Sequence, residues 1–149
     1  MRAVVQRVTR ASVSVGDQTV GSIGQGILIL LGAAVNDTAD QVRWLADKVL
    51  GLRIFSDSSG KMNLDVSQIQ GDILVVSQFT LYGDCRKGKR PSYSSAAPAE
   101  AAEKLYLNFI SLLEGSGLLI ERGQFGAMMK VELINDGPVT LILETPAAN

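Results

Sequence analysis

The chain has 149 residues, with 14 Lys and Arg against 15 Asp and Glu, no histidine and one cysteine. That length suits one domain over residues 1–149, and the near-neutral balance argues against a protein that coats nucleic acid by charge, though not against one that grips an RNA end. Without histidine there is no Ser-His-Asp triad, Cys-His dyad or histidine-ligated zinc site, and Cys85 alone forms neither an intrachain disulfide nor a metal cluster.

In chain order, the first third predicts β-structure. Val4, Gln6 and Val8 alternate with Val5 and Arg7, and Val13 and Val15 alternate with Ser12 and Ser14. Gly16-Asp17 reads as a two-residue hairpin leading to Gln18–Val20. Ile27 to Leu31, flanked by Gly26 and Gly32, has the pattern of a strand buried on both faces. This most apolar run falls far short of the roughly 20 residues that span a bilayer. No cleavable apolar stretch opens the chain, so a cytoplasmic protein is expected.

Thr38 with Gln41 three residues on predicts a capping box, and Val42, Leu45, Ala46, Val49 and Leu50 then give one apolar helix face. Leu52–Phe55 reads as a short strand, ended by the turn-rich Ser56–Gly60. Gly71-Asp72 introduces the apolar strand Ile73–Val76, which runs into Ser77-Gln78-Phe79-Thr80. Tyr82 to Ala97 is polar, basic and glycine-containing, the composition of a long exposed loop.

Pro98 is expected at the first position of a second helix, with Ala102, Leu105, Tyr106, Phe109, Ile110 and Leu113 on its apolar face and Gly115 as its stop. Strands return at Leu118–Glu121, Met129–Ile134 and Val139–Glu144, and Asp136-Gly137 between the last two is a hairpin signal. The order predicts an α+β domain with curved, mainly antiparallel sheets forming a barrel-like core and two main helices.

Several segments hold candidate chemistry. Ser77 and Thr80 stand at a strand end, where hydroxyls bind, attack or simply cap a turn. Free N–H groups near Phe79 would suit a developing oxyanion. Asn135-Asp136-Gly137-Pro138-Val139-Thr140 is either a plain turn or a tip whose backbone carbonyls approach a ligand closely, with the Pro138 bond open to a cis form. Arg86, Lys87, Lys89 and Arg90 cluster beside Tyr93, as a phosphate contact or as a solvated loop. Cys85 has basic neighbours but no histidine to act as its base. Phe125 and Met129 suit a flat ligand such as a purine, or core packing.

Ser77-Gln78-Phe79-Thr80-Leu81-Tyr82, followed by Asn135-Asp136-Gly137-Pro138-Val139-Thr140, resembles the paired signature of the D-aminoacyl-tRNA deacylase family, historically named for D-tyrosyl-tRNA. The opening Met1-Arg2-Ala3-Val4-Val5-Gln6-Arg7-Val8 and the loop Lys87-Gly88-Lys89-Arg90-Pro91-Ser92-Tyr93 extend the likeness essentially end to end. The resemblance implies an ester hydrolase acting on tRNA that carries a D-amino acid, working as a homodimer with active sites at the subunit interface. Ser77, Gln78, Phe79 and Thr80 would come from one subunit, and a cis Gly137-Pro138 from the other would exclude L side chains.

The resemblance further places Phe125 and Met129 near the terminal adenosine, and implies that glycyl esters on alanine tRNA are also cleaved. Lys89 stands where asparagine is expected, which leaves tRNA preference open. No cofactor, metal or membrane is implied. The missing histidine then fits an ester cleaved with help from the neighbouring ribose hydroxyl, with Thr80 positioning rather than attacking. Two rivals stay open: an RNA-binding module without turnover, and a relative of the archaeal threonyl-tRNA synthetase editing domain, which removes L-seryl groups.

Overall fold

The computed structural model describes residues 1–147. Its longest strand pairings all involve the opening segment. Strand β1 (Arg2–Val15) runs unbroken through the two alternating stretches, and β8 (Met129–Glu144) lies antiparallel along it. The other edge of β1 is shared. Arg2 to Val8 pair with β3 (Gly26–Gly32), and Ala11 to Val15 pair with β2 (Gln18–Ile23), both antiparallel. Strand β6 (Asp72–Ser77) then adds to β3 in parallel, and β7 (Ile120–Arg122) adds to β6 in parallel. A separate ribbon joins β4 (Phe55–Ser56) to β5 (Met62–Leu64).

The continuous apolar runs sit where both faces are covered. From β3 and β6, Ile27, Ile29, Leu31, Ile73 and Val75 point into the core beneath the helices. Leu28, Leu74 and Val76 point the other way, against Val8, Ala11, Val13 and Ile23 inside the curl of the sheet. Fully burying one such Leu, Ile or Val side chain is worth about 1.5–3 kcal/mol. The result is a curved, mainly antiparallel sheet with a barrel-like core, backed by two helices.

Helix α1 (Ala39–Leu50) begins with the expected capping box: Thr38 accepts from the Asp40 N–H at 3.3 Å, and Gln41 accepts from the Thr38 N–H at 2.9 Å. Its buried face is Val42, Leu45, Ala46 and Val49. Helix α2 (Ala99–Glu114) packs Tyr106, Phe109, Ile110 and Leu113 inward.

Three expectations need correction. Pro98 is the N-cap of α2, in extended conformation (ψ 147°), and not its first helical residue; its carbonyl accepts from Ala102 at 2.9 Å, so the helix starts one residue later. The strand at Leu52–Phe55 is reduced to Phe55–Ser56, because only these find partners in β5. Residues 135–138 do not form a hairpin, since both flanking halves belong to β8 and pair with the same strand. Gln6 faces Thr140 and Val8 faces Asn135, so the segment between them bulges out opposite Arg7. The Gly137–Pro138 peptide is cis.

Candidate functional site

A cleft of about 900 Å³ opens where β3 and β6 end. Leu31, Gly32, Val76 and Ser77 form its floor. The chain then turns at once into a 3₁₀ turn, Phe79–Tyr82, that brings Gln78 and Phe79 onto the wall. Small residues at the start of α2 (Ala97, Ala99 and Ala102) leave the space open on one side, and Phe125 to Val131 close the other. Lys130 is the charged side chain among the described residues on the wall. Apart from Lys130, the wall offers a ligand hydroxyl, amide, apolar and backbone groups.

The backbone at the 3₁₀ turn is the notable part. The Gln78 N–H is taken by the Leu31 carbonyl at 2.8 Å, the Leu81 N–H by Gln78 at 3.2 Å and the Gly83 N–H by Thr80 at 2.9 Å. Among the described residues, no acceptor takes the N–H groups of Phe79 and Thr80, the first two of the turn. The first N–H groups of any helical turn lack an internal partner, and they are a ready donor pair for an anionic oxygen. The Phe79 side chain is 57% exposed, so it does not anchor the turn in the core. It meets Tyr93 edge-on instead, with ring centroids 5.2 Å apart.

The candidate residues fall into three groups. Ser77, Gln78 and Phe79 share the cleft with Phe125 and Met129. Phe125 lies 5.6 Å from the Tyr106 ring, and Met129 sulfur packs where Gly123 leaves room, since a Cβ there would lie 2.6 Å from it. The Tyr106 hydroxyl donates to the Val75 carbonyl at 3.2 Å, and burial pushes its pKa up to about 12. Thr80 is exposed, stands outside the cleft wall, and accepts a hydrogen bond from the Gln78 amide.

Gly137 and Pro138 form the second group; both are exposed and neither lines the cleft of the same chain. The third group is the basic loop. Its neck is closed by paired backbone bonds between Asp84 and Ser92, at 2.7 and 3.0 Å. Arg86 is engaged with Asp84 at 2.6 Å, and this guanidinium holds the Asp84 carboxyl down at about 2. Lys87, Lys89 and Arg90 are exposed, with no ion-pair partner among the described residues. The Phe79–Tyr93 contact ties this loop to the cleft mouth. Cys85 is exposed on the same loop, with no histidine in the chain to serve as its base.

Sequence reasoning overlooked Arg7 and the alanine wall. Arg7 is almost fully buried and donates to the carbonyls of Ile54 (2.6 Å), Asp136 (3.1 Å) and Gly137 (3.4 Å). The available signal was an arginine sharing a strand face with Ala3 and Val5. The alanines carry no chemical signal at all.

Fold and site together define a curled α+β sheet protein with an apolar-walled cleft and unused backbone donors at the turn beside it. A family model described as D-Tyr-tRNA(Tyr) deacylase matches residues 4–144. The chain belongs to this family, a family of hydrolytic enzymes. It is 58% identical to a D-aminoacyl-tRNA deacylase of Desulfatibacillum aliphaticivorans over 97% of this chain and 99% of the relative. A D-aminoacyl-tRNA deacylase of Thermotoga petrophila is 57% identical, covering 97% of each chain. Among solved structures, the c-Myc DNA Unwinding Element Binding Protein superposes with a TM-score of 0.93 at 47% identity, over 99% of this chain and 100% of that one. A probable eukaryotic D-amino acid tRNA deacylase shares the fold, with a TM-score of 0.82 at 17% identity over 95% and 97%.

Proposed function

We propose that this protein hydrolyses the ester of D-aminoacyl-tRNA, releasing the D-amino acid and free tRNA, through one domain over residues 1–149. The observation that carries the mechanism is the pair of acceptor-less N–H groups at Phe79 and Thr80, beside a cleft without a histidine or carboxylate base among the described residues. Water adds to the ester carbonyl, whose oxygen becomes an oxyanion held by those donors. The bond to the ribose oxygen then breaks, and that oxygen takes a proton as the amino acid departs. The neighbouring ribose hydroxyl of the substrate assists the proton movements, so the protein contributes orientation and electrostatic stabilisation. Ser77 and Gln78 border the ester, and Thr80 positions through its contact with Gln78.

Gly137 and Pro138 exclude L side chains in this reading, and they do so in the cleft of a second copy. Two features support a homodimer: the cis segment lies outside its own cleft, and the outer face of β8 leaves Ile134 46% and Ile142 70% exposed. A glycyl ester presents no side chain to exclude, so glycine mischarged on alanine tRNA is a second substrate. Phe125 and Met129 take the terminal adenosine, while Arg86, Lys87, Lys89 and Arg90 follow the phosphates towards the cleft. No helix among the described residues is long and apolar enough to cross a membrane, and the cytoplasm, where charged tRNA is used, is the proposed place of action.

The test is a matched pair of D- and L-tyrosyl-tRNA with the purified protein. Cleavage of the D ester alone is expected. Salt-dependent tRNA binding with no turnover, or cleavage of L-seryl-tRNA with D-tyrosyl-tRNA intact, would sink the proposal.

A further inference from the structure

Arg2 stands at the start of β1, in register with Gly32 on β3 and Glu144 on β8. This row of three residues is where the 3₁₀ turn Phe79–Tyr82 comes down onto the sheet. A Cβ at Gly32 would lie 3.0 Å from the Gln78 carbonyl oxygen and 3.3 Å from both Leu81 and Tyr82 side-chain atoms, so a glycine is what lets the turn sit this low. Arg2 reaches it from the next strand. Its Nη1 donates to the Leu81 carbonyl at 2.6 Å, and its guanidinium carbon lies 4.9 Å from the centre of the Tyr82 ring.

The other side of the same guanidinium is fixed. Nε donates to Glu144 at 2.7 Å and Nη2 pairs with that carboxylate at 2.6 Å. Both nitrogens meet the same oxygen, Glu144 Oε1, and together with Nη1 on the Leu81 carbonyl they orient the planar guanidinium, which a lysine ammonium cannot reproduce. The turn needs such an outside hold. A short 3₁₀ turn has poor hydrogen-bond geometry of its own, and the Phe79 side chain is largely in solvent.

Resting on the deacylase reading, we propose that Arg2 is a positioning residue for the reaction. Oriented by Glu144, it holds the Leu81 carbonyl and the Tyr82 ring, and so sets where the Phe79 and Thr80 N–H groups stand against the ester. Arg2 does not line the cleft and touches no substrate in this account. Its effect falls on the catalysed step, because a displaced donor loses its value for an oxyanion while tRNA is still gripped elsewhere.

Two measurements on the full-length wild type, Arg2→Met and Arg2→Lys test this. The first is steady-state cleavage of D-tyrosyl-tRNA. Arg2→Met is expected to lower kcat by roughly 10- to 100-fold, the scale of a misplaced catalytic group. KM should stay within about threefold, the mark of an interaction used in the transition state. Arg2→Lys should recover part of the loss. The second is amide hydrogen exchange, in which Arg2→Met should quicken Leu81 and Gly83, whose N–H groups are bonded within the turn, by about tenfold or more while β3 and β6 keep their protection.

Unchanged exchange at Leu81 and Gly83 overturns the proposal. So does equal acceleration across β3 and β6, which would make Arg2 a general stabiliser, and so does a rise in KM with kcat intact, which would make it a tRNA contact. A wild type that leaves D-tyrosyl-tRNA uncut defeats the functional reading instead, and the exchange pattern still decides whether Arg2 holds the turn.

Discussion

Arg7 and Asn135 serve each other across the break in the β1–β8 ladder. The Asn135 side-chain amide donates to the Arg7 carbonyl and to the Val139 carbonyl, each at 3.0 Å, closing the base of the bulge. The Arg7 guanidinium meanwhile donates to Asp136 and Gly137 carbonyls within it. Backbone groups that the bulge removes from the ladder are thus re-satisfied by these two side chains. The cis segment Gly137–Pro138 is a shaped protrusion and not a slack loop.

Asn135→Ala removes both donations and leaves two carbonyls short of partners. The expected cost is about 0.5–1.5 kcal/mol for each bond, the net worth of a hydrogen bond, since both are only partly buried. Urea denaturation should show it as a lower midpoint with an unchanged slope. Because the protrusion also loses definition, L-tyrosyl-tRNA should begin to be cleaved by this variant when the D ester still is. A variant as stable and as selective as the wild type would remove Asn135 from this role.

The backbone-donor mechanism separates two neighbouring substitutions. Phe79→Pro deletes one N–H at a position of the turn that tolerates proline, and should cost about 10²–10³ in kcat, as loss of an oxyanion donor does elsewhere. Thr80→Ala keeps its N–H and should stay within about tenfold of wild type, since a group that only positions contributes far less than a nucleophile. Circular dichroism on both proteins checks that the fold is intact. The opposite ranking would restore Thr80 as the attacking group.

Replacing Lys87, Lys89 and Arg90 together by alanine should weaken tRNA binding while leaving thermal stability unchanged, because all three are exposed and outside any ion pair among the described residues. For every phosphate the loop no longer neutralises, the slope of log K against log salt should become shallower by about 0.7–0.9. Filter binding across a salt series measures it. A slope equal to wild type would make the loop a solvated tip.

Tyr106 links the cleft wall to stability at high pH. Burial raises its pKa from 10.0 to about 12, and Tyr82 is raised to a similar value by burial and by Asp37. A folded-state pKa above the unfolded one means the native protein holds the phenolic proton more tightly. This stability is complete below pH 10 and is lost as pH rises through about 12. Thermal midpoints from pH 8 to 12 should therefore fall above pH 10, and less steeply in Tyr106→Phe. At neutral pH that variant should lose only about 0.5–1.5 kcal/mol, the net worth of its bond to Val75.

Much of the scaffold was legible because its signals are local. The Thr38–Gln41 capping box and the apolar runs at Ile27–Leu31 and Ile73–Val76 each carry their own pattern, and each forms the expected element. The misreadings share a cause in non-local structure. Asp136-Gly137 is a strong hairpin signal on its own, but a hairpin would pair the two halves of β8 with each other. Pairing both with β1 is worth more, because it covers that whole strand.

The candidate site was legible as motifs and not as geometry. Ser77 to Thr80, Phe125 and Met129 could be picked from their types and family likeness. The hold that Arg2 and Arg7 exert on carbonyls far along the chain could not, since none of these backbone acceptors has any trace in sequence. Ala33, Ala97, Ala99 and Ala102 shape the cleft by what they omit.

The pairing of β1 along all of β8 also sets the order in which this chain can be made. A ribosome finishes the opening strand first and its long partner last, so one whole edge of β1 stays bare until Glu144 has been added. Such an edge is a template for a neighbouring chain, and contacts this remote in sequence form slowly. A chain cut short before Met129 should therefore precipitate on expression. The full chain should refold slowly after dilution from urea, more cleanly when dilute or in the presence of a chaperone.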